Sequence, residues 1–299
     1  MKSALGIDVG GTKIRAGLVR EDGHIQRITE VKTEANEGST QVVRRILSLI
    51  GAFTDEEITG IGIGTAGQVG LDGTILSATK TIPGWAGTPL EKIITQQTNL
   101  PAKVVNDVQA MALGELYFGD GEGTEHFLCL ALGTGVGGAI VCGGKLFRGA
   151  SGAAGEMGHL VIHAHGRACP CGKKGCLEAY ISGTALSDRY TERLGVKKST
   201  TEFFEDARTD QPAARDLLSQ FLDDLVCGLA SLVTIFNPHR VILGGGLGET
   251  LTEYLPEIKN RFSNELSHAA MMPLQLSISK LGGSAMILGA ASLILKGGN

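Results

Sequence analysis

Residues 4–19 read Ala-Leu-Gly-Ile-Asp-Val-Gly-Gly-Thr-Lys-Ile-Arg-Ala-Gly-Leu-Val. The apolar run Ala4–Val9 predicts a strand, and the glycines that follow predict a tight turn. Ile14–Val19 predicts the partner strand of a hairpin, and Ile25–Val31 a third strand. With the periodic segments that continue to Tyr117, the first part of the chain has the predicted order β-β-β-α-β-α-β-α.

The opening pattern recurs roughly 120 residues later, about one domain length. Phe127–Leu132 is an apolar strand ending in Gly133-Thr134-Gly135, and Gly143-Gly144 joins the next two strands, Ala139–Cys142 and Lys145–Phe147. Two α/β units that each open with a strand, a glycine turn and a hairpin predict a duplicated two-domain protein with a cleft between the domains.

Helical spacing predicts helices in both halves. The clearest are Val42 to Ile50, with Ser39 as the predicted N-cap, and a long amphipathic helix from about Ala213 to Phe236. The other predicted helices begin near Pro89 or cover Val108–Tyr117, Leu177–Leu186, Thr201–Ala207, Leu251–Leu266 and Ser284 onward. The other predicted strands are Ile58–Ile63, Lys103–Val105, Arg240–Leu243 and Leu274–Ser279.

Composition narrows the class of function. The 299 residues are 42% hydrophobic and 19% charged with net charge −4, as in an ordinary globular protein. Glycine is the outlier, with 44 residues clustered after apolar runs, which indicates turns where backbone approaches a ligand. Lys173-Lys174 and Lys197-Lys198 are isolated basic pairs, so nucleic acid is disfavoured as a partner.

Localisation can also be predicted. The N-terminus enters a strand at once and shows no signal-peptide cleavage region, and the apolar stretch Met286–Leu295 is far short of a membrane span. Cys129, Cys142 and Cys227 lie in apolar patterns and are expected to be inert core thiols. We therefore expect a cytoplasmic protein with no membrane partner.

Four soft ligands cluster in sequence: His159, Cys169, Cys171 and Cys176. One imidazole and three thiolates form a set that tetrahedral structural zinc prefers. A disulfide between two of the cysteines or three core thiols are alternatives, but the Gly/Pro-rich surroundings are poor core material. Spacing alone leaves His163 and His165 open as the fourth ligand. Glu156 and Glu178 flank the set, either as solvated loop carboxylates or as acceptors for polyol hydroxyl groups.

The first glycine turn carries groups suited to phosphate. Its glycines expose backbone N–H groups, Thr12 and Lys13 can donate to phosphate oxygens, and Asp8 could hold Mg²⁺ through water. The alternative is a hairpin turn whose glycines serve geometry alone. The second turn, Gly133 to Gly138, matches the G-x-G-x-x-G dinucleotide fingerprint, but a strand follows it instead of the required helix. We therefore interpret it as a second phosphate turn.

Asn106-Asp107 lies where a strand breaks into a helix. An Asp at this point can simply cap the helix. Beside two phosphate turns, the same carboxylate could orient an attacking hydroxyl group and accept its proton during phosphoryl transfer.

Together these residues resemble the ROK family of sugar kinases, most closely its bacterial glucokinase branch. The resemblance covers nearly the whole chain and rests on Asp8–Lys13, Leu132 through His159, and Cys169-x-Cys171-Gly172-x-x-Gly175-Cys176-x-Glu178. It implies two ribonuclease-H-like, actin/hexokinase-type domains that close over ATP and sugar. The expected domains are 1–106 plus 284–299, to which the terminal helix returns, and 107–283, with the zinc loop over 156–178.

The resemblance also implies roles for individual residues. Asp107 would be the catalytic base, and His159, ten residues before Cys169, would be the zinc ligand that also contacts sugar. The implied sugar contacts are Gly67, Asn106, Asp107, Glu156, His159 and Glu178. The implied ATP contacts are Asp8, Gly10, Gly11, Thr12, Lys13, Thr134, Gly135, Gly244, Gly245 and Gly246.

Four residues bear on the resemblance and on the choice of sugar. Thr81 stands where many members of the family have an Asn that touches the sugar, and Val108-Gln109 replaces the common Ala-Asn. Glu156 favours an unmodified hexose, since N-acetylmannosamine kinases of the family lack a Glu at this position. The expected function is therefore ATP- and Mg²⁺-dependent phosphorylation of a hexose at the 6-hydroxyl, with glucose favoured and zinc structural.

Several alternatives stay open at this point. Within the enzyme class they are a fructokinase, an N-acetylglucosamine or N-acetylmannosamine kinase, and a polyphosphate-dependent glucokinase. A sugar-responsive transcriptional regulator of the same family is disfavoured, because Asp8 leaves no room before it for a helix-turn-helix domain. A sugar-binding protein without catalysis is disfavoured by Asp107 and the two turns. Relatives are often dimers, so a homodimer is a further expectation.

Overall fold

The computed structural model describes residues 2–78, 81–272 and 274–297. The first ten elements are β1 (Ser3–Val9), β2 (Lys13–Arg20), β3 (Ile25–Lys32), α1 (Ser39–Gly51), β4 (Ile61–Thr65), β5 (Gln68–Val69), β6 (Ile75–Ser77), α2 (Leu90–Thr98), β7 (Ala102–Asn106) and α3 (Asp107–Phe118). The predicted order of strands and helices is confirmed, with the short β5–β6 hairpin as an addition.

The second series begins with the recurring strand. Its elements are β8 (Phe127–Leu132), β9 (Val136–Cys142), β10 (Lys145–Leu146), α4 (Glu178–Ile181), α5 (Gly183–Leu194), α6 (Thr200–Arg208), α7 (Pro212–Phe236), β11 (Arg240–Gly244), α8 (Gly245–Thr250), α9 (Leu255–Glu265), α10 (His268–Met271), β12 (Gln275–Ile278) and α11 (Ala285–Leu295). The metal loop lies between β10 and α4, as predicted.

The first five-stranded sheet has the order β3-β2-β1-β4-β7. β1 is antiparallel to β2 and parallel to β4, with Asp8 opposite Gly64. β4 is parallel to β7, with Thr65 opposite Asn106. The carboxyl ends of three neighbouring parallel strands therefore bring Asp8, Gly64 and Asn106 to one edge of the sheet, where ligands commonly bind in open α/β sheets.

The second five-stranded sheet has the order β10-β9-β8-β11-β12. Counted from its own first strand, this is again third, second, first, fourth and fifth. β11 and β12 are parallel, with Val241 opposite Leu276. The equal strand order confirms the repeat that the two glycine turns predicted.

Alternation along β1 fixes the two faces of the first sheet. Leu5, Ile7 and Val9 are buried in the core that α1 and α2 cover. On the opposite face a side chain at Gly6 would collide with the backbone oxygen of Ile287 in α11. Since Gly62 meets α11 in the same way, α11 packs directly on the sheet backbone.

By their internal contacts the residues divide into two units, Met1–Phe127 with Ala139–Gly155 and Lys280–Asn299, and Leu128–Gly138 with Glu156–Ser279. The terminal helix α11 falls within the first unit. The predicted domains, 1–106 plus 284–299 and 107–283, do not follow this division. The reason is that α3 packs on α11 within the first unit, where a side chain at Gly114 would meet the backbone of Ala285.

Some local predictions were wrong. Ser39 is the first residue of α1 and Gly38 is its N-cap. The predicted helix over Leu177–Leu186 is interrupted at Ser182, whose hydroxyl group accepts from the backbone N–H of Ala185 to cap α5. The predicted helix Leu251–Leu266 begins as a 3-10 turn, Leu251–Tyr254, before α9. Each interruption follows from local hydrogen bonding that hydrophobic periodicity does not report.

Two of the predicted core thiols are also exposed, Cys142 and Cys227, whereas Cys129 is buried. Cys142 ends β9 beside the Gly143-Gly144 turn, and Cys227 lies on the outer face of α7. The periodicity of an apolar segment predicts which face of the segment is buried. It predicts less well whether a single small residue in that segment is buried.

α7 is long and apolar enough to cross a membrane by length and composition alone, and half of its apolar window is buried. It packs against α6 and α9. The buried positions include the predicted Leu217, Phe221, Leu225, Leu229 and Leu232, while Phe236 at the end of the helix is 40% exposed. These contacts are those of the central helix of a globular unit.

Candidate functional site

The start of α3 combines a helix cap with a separate carboxylate. Asn106 is the N-cap, and its Oδ1 accepts from the backbone N–H groups of Val108 (2.9 Å) and Gln109 (3.2 Å). Its Nδ2 donates to the backbone oxygen of Gly67 at 3.0 Å. The capping role that the sequence left open for Asp107 is therefore filled by Asn106.

Asp107 is the first residue of α3 and is half-buried. Burial raises the pKa of Asp107 to about 6; the hydrogen bond from the Val108 N–H opposes the rise, and the charge of Asp8 adds to it. Burial also raises the pKa of Asp8, although Arg15 and Lys13 oppose this shift. A carboxyl group with such a pKa is largely ionised at neutral pH yet more basic than usual, as a general base requires.

The first glycine turn is fixed from within its own unit. The Gly10 N–H donates to the backbone oxygen of Lys13 at 3.0 Å, and the buried Thr33 hydroxyl donates to the backbone oxygen of Gly10 at 2.6 Å. A side chain on Gly11 would lie 2.5 Å from the methyl group of Thr81. Thr12 is exposed, so the turn offers a hydroxyl group above a fixed backbone.

Lys13 is exposed as well, and its Nζ lies 3.2 Å from a carboxylate oxygen of Glu30. Both side chains are 55% exposed. An ion pair in such an exposed position is weak and easily exchanged for another partner.

The four predicted metal ligands come together in the second unit. The ligand atoms of His159, Cys169, Cys171 and Cys176 all lie within 4.8 Å of one another. The Sγ atoms of Cys171 and Cys176 are 3.7 Å apart, and Cys169 Sγ lies 3.8 Å from His159 Nδ1. A tetrahedron with Zn–S bonds of about 2.3 Å has edges of about 3.8 Å, so the donor set fits zinc.

The alternatives for this cluster are less compatible with the structure. The Sγ atoms of Cys171 and Cys176, 3.7 Å apart, are too far from each other for an S–S bond of about 2.05 Å, and the described residues contain no disulfide. His163 lies outside the cluster, with Nε2 2.8 Å from Asp224 Oδ1 and its ring centre 4.6 Å from that of Tyr180, at an interplanar angle of 57°. His165 lies in an exposed turn with φ of 60°. His159 is the histidine whose position completes the donor set.

His159 also connects the cluster to a carboxylate. Nδ1 faces Cys169, while Nε2 lies 3.8 Å from Glu156 Oε2. Glu156 is exposed. Nδ1 of His159 can therefore bind a metal ion while Nε2 remains near the exposed Glu156 carboxylate.

Glu178 joins the metal cluster to the second glycine turn, a connection that the sequence did not predict. Its Oε2 accepts from the backbone N–H of Val136 at 2.8 Å, and its Oε1 lies 3.7 Å from Cys169 Sγ. A side chain on Gly135 would lie 2.7 Å from the same Oε2. The glycine at this position leaves room for the carboxylate.

The start of α5 holds the other side of the second turn. The Gly183 N–H donates to the Gly133 oxygen at 2.8 Å, and the Thr184 hydroxyl donates to the Thr134 oxygen at 2.9 Å. Gly245 has φ of 79°, and a side chain there would collide with the backbone oxygen of Leu132. The ends of β8 and β11 and the start of α5 therefore meet at one place.

A cavity of about 580 Å³ opens there. Its wall includes the predicted Thr134 and Gly246, whereas Gly135 contacts Glu178. The lining residues that the sequence analysis missed are Gly183, Thr184, Ser187, Asp188, Ser199, Thr200, Thr201, Phe204, Arg208, Leu247 and Thr250. The hydroxyl-rich starts of α5 and α6 were the signal that could have revealed them.

Comparisons with known proteins extend over nearly the entire chain. The family model for the ROK family matches residues 4–297. A glucokinase of Thermotoga maritima is 33% identical over 307 residues, covering 97% of this chain and 96% of that protein. An N-acetylmannosamine kinase of Escherichia coli O1:K1 / APEC is 32% identical over 293 residues, covering 97% and 98%.

Solved structures share the fold. A ROK family glucokinase from Streptomyces griseus, in complex with glucose and AMPPNP, has a TM-score of 0.84 and 32% identity to this chain. The alignment covers 98% of this chain and 99% of that one. Both units described above are therefore included in the similarity.

Proposed function

This chain belongs to the ROK family and has its two-domain, actin/hexokinase-type fold, and on that premise we propose that it is an ATP-dependent sugar kinase. The reaction is transfer of the terminal phosphoryl group of ATP to the 6-hydroxyl of a hexose, with glucose as the favoured substrate. The glucokinases of Thermotoga maritima and Streptomyces griseus support this choice.

The observation that carries the proposal is the raised pKa of the Asp107 carboxyl group at the start of α3. Asn106 is the N-cap and shares the Val108 N–H with Asp107 Oδ1, and the carboxyl group of Asp107 has a pKa raised to about 6 by burial. Asp107 would orient the 6-hydroxyl and accept its proton as the bond to phosphorus forms. Gly67 and Asn106 support the same sugar, since the Asn106 amide, which donates to Gly67, keeps a second N–H for a hydroxyl oxygen.

Glu156, His159 and Glu178 would accept the remaining sugar hydroxyl groups. The short loop between His159 and Cys176 needs an internal constraint to hold these groups in position. Zinc on His159, Cys169, Cys171 and Cys176 would supply it, as a structural ion with four protein ligands and no position left for substrate. The function proposed for zinc is therefore to shape the sugar site.

ATP would be held by the two glycine turns and the segment Gly244 to Gly246. The exposed Thr12 and Lys13 support phosphate contacts at the first turn, and Thr134 and Gly246 line the cavity that would take the nucleoside. Mg²⁺, when bound, would neutralise phosphate charge, and Asp8 is the carboxylate suited to hold it through water. We propose the cytoplasm as the location and a homodimer as a further expectation.

A coupled ADP-release assay across glucose, fructose, mannose, N-acetylglucosamine and N-acetylmannosamine tests the proposal. We expect turnover, with glucose preferred. Asp107→Asn should abolish phosphorylation while sugar binding stays measurable, and Asp216→Asn, an exposed aspartate of α7, is the matched control. Near-normal kcat in Asp107→Asn would exclude Asp107 as the base, and no turnover with any sugar would exclude the kinase.

An N-acetylmannosamine kinase is the second candidate, because one such enzyme is 32% identical over nearly the same length. The choice between glucose and N-acetylmannosamine as the preferred substrate rests on Glu156, which favours an unmodified hexose. If N-acetylmannosamine gives the higher kcat/KM in the same panel, the preference for an unmodified hexose is wrong and the phosphoryl-transfer proposal stands.

A further inference from the structure

A second cavity in the same unit has three guanidinium groups in its wall. Its volume is about 300 Å³, and its lining residues are Arg167, Tyr180, Arg189, Glu192, Arg193 and Gln220. Arg167 belongs to the metal loop, Arg189 and Arg193 lie one turn apart on α5, and Gln220 belongs to α7. None of these residues has a part in the proposed phosphoryl transfer.

Arg189 is the fixed element of this arginine cavity. Its side chain is 9% exposed, and Nη1 donates to Asp224 Oδ2 at 3.0 Å and to the backbone oxygen of Tyr180 at 2.9 Å. Burial lowers the pKa of Arg189; Asp224 opposes this, and the charges of Arg167 and Arg193 add to the lowering. Asp224 is shared with His163, so it does not balance Arg189 alone.

Among the described residues no carboxylate pairs with Arg193. Its Nη2 donates to Gln220 Oε1 at 2.7 Å, and Arg189 Nη2 donates to the same oxygen at 3.3 Å. Nη1 of Arg193 lies 3.4 Å from the backbone oxygen of Ala213. The Arg193 side chain makes no ion pair within the described ranges. Two like charges at i and i+4 repel each other, and a neutral amide oxygen does not balance them.

We infer that the arginine cavity binds the phosphate group of a small phosphorylated metabolite, held between Arg189 and Arg193 in place of the Gln220 amide. Planar guanidinium groups match phosphate oxygens in pairs, and buried, preorganised arginines are the usual choice for such sites. A volume near 300 Å³ is at the lower end of small-molecule sites. It suits a ligand of few carbon atoms.

Glu192 acts as a movable competitor. It binds Arg167 through two hydrogen bonds of 2.8 and 2.9 Å, but its side chain is 59% exposed. Because an exposed ion pair is weak, an incoming phosphate can displace Glu192 and gain Arg167 as a third donor.

The ligand would influence the sugar site through Arg167 and Tyr180. The Arg167 N–H donates to the Tyr180 hydroxyl oxygen at 2.7 Å. Arg167 is two residues before Cys169, and Tyr180 is two residues after Glu178. Occupation of the arginine cavity would therefore change the KM for sugar, a part of the inference that depends on the proposed function, whereas the binding itself does not.

Titration calorimetry with glycerol 3-phosphate tests the binding, using the full chain saturated with AMPPNP so that nucleotide phosphate sites are filled. Arg193→Gln should weaken binding about tenfold or more, in line with loss of one charge-assisted pair. Glu192→Gln should strengthen it several-fold, because the competing carboxylate is gone. Arg44→Gln, an exposed arginine of α1, should leave it unchanged.

The opposite signs of the two changes are the critical result, since a merely structural role for these residues would not produce them. Equal affinity in wild type and Arg193→Gln would overturn the site. So would malonate binding as tightly as glycerol 3-phosphate, which would indicate a general anion site. If binding follows the prediction but the KM for sugar is unchanged by glycerol 3-phosphate, the regulatory part is wrong and the site remains.

Discussion

The two glycine turns follow equivalent strands, β1 and β8, yet different kinds of group hold them. The first turn is fixed by its own hairpin and by a neutral hydroxyl group, that of Thr33, on the Gly10 oxygen. The second turn is fixed by a carboxylate, Glu178, on the Val136 N–H and by the start of α5. Duplication has preserved the turn but not its support.

The difference has a functional consequence. The supports of the first turn lie within 33 residues of the N-terminus, whereas Glu178 contacts both the second turn and Cys169 of the metal cluster. Order in the second turn should therefore depend on the metal site, and order in the first should not. Four measurements test this asymmetry.

Loss of the metal should have the largest effect. Cys176→Ser removes a buried thiol of the proposed zinc set, and we expect the KM for sugar to rise by about 10–100-fold, as is typical when the shell around a metal is disturbed. Hydrogen exchange at Val136 should become faster, while exchange in β1 and β2 stays unchanged. Metal analysis of wild type prepared without chelator should give about one equivalent of zinc.

Cys142→Ser is the control, because Cys142 is an exposed free thiol outside the cluster. Equal loss of protection in both turns would mean that the variant has unfolded more broadly. Unchanged exchange at Val136 would remove the coupling through Glu178.

Acid should act on the first unit, where the two carboxyl groups with raised pKa values lie. With the pKa of Asp107 near 6, kcat/KM should fall about fivefold between pH 6 and pH 5, because the ionised fraction drops from about one half to about one tenth. The pKa of Asp107 in the folded protein exceeds the unfolded value of about 3.9. The protonated Asp107 carboxyl group therefore stabilises the folded state below pH 4, and this contribution is lost as the pH rises through 6. Ionised Asp107 therefore destabilises the native state at neutral pH.

Asp107→Asn should for that reason raise Tm at pH 7.5 and leave it nearly unchanged at pH 4, measured by calorimetry in both buffers. Asp216→Asn should change neither value. A lower Tm for Asp107→Asn at pH 7.5 would show that the carboxylate stabilises the start of α3 and would contradict the pKa shift.

Much of the fold was predictable because its signals are local. Apolar runs with terminal glycines identified the strands of both sheets, and the repeat of strand, turn and hairpin predicted a duplication, with which the equal strand orders agree. The three cysteines of the cluster were predictable as metal ligands from residue type, since few other roles bring three cysteines so close in sequence, whereas the choice of His159 rested on the family resemblance.

What could not be predicted depends on contacts distant in sequence. Glu178 and Val136 are 42 residues apart, and neither residue type indicates the bond between them. The charge of Arg193, which has no ion pair among the described residues, is likewise visible once α5, α7 and the metal loop are packed. At the start of α3 the sequence analysis considered Asp107 as the cap, whereas Asn106 is the N-cap, and this depends on backbone angles that single-sequence patterns do not contain.

A pair of single substitutions compares the two supports directly. Glu178→Gln keeps the shape of the side chain but removes the charge, so we expect a rise of about tenfold in the KM for ATP together with a higher KM for sugar. Thr33→Val removes the hydrogen bond to the Gly10 oxygen, and loss of about 1 kcal/mol corresponds to about a fivefold rise in the KM for ATP. The KM for sugar should stay unchanged in Thr33→Val, and a parallel rise in both KM values would contradict separate supports.

The smallest effect concerns Lys13, which stands at the exposed end of the first turn. Because the pair with Glu30 is exposed, Lys13→Met should change the free energy of unfolding by less than about 1 kcal/mol. If Lys13 leaves Glu30 for a phosphate oxygen, the KM for ATP should rise several-fold and its dependence on salt should weaken. Lys32→Met is the matched control, because Lys32 is the exposed residue opposite Lys13 on β3. Equal KM values for the two variants would restrict the phosphate contacts of the first turn to its backbone and Thr12.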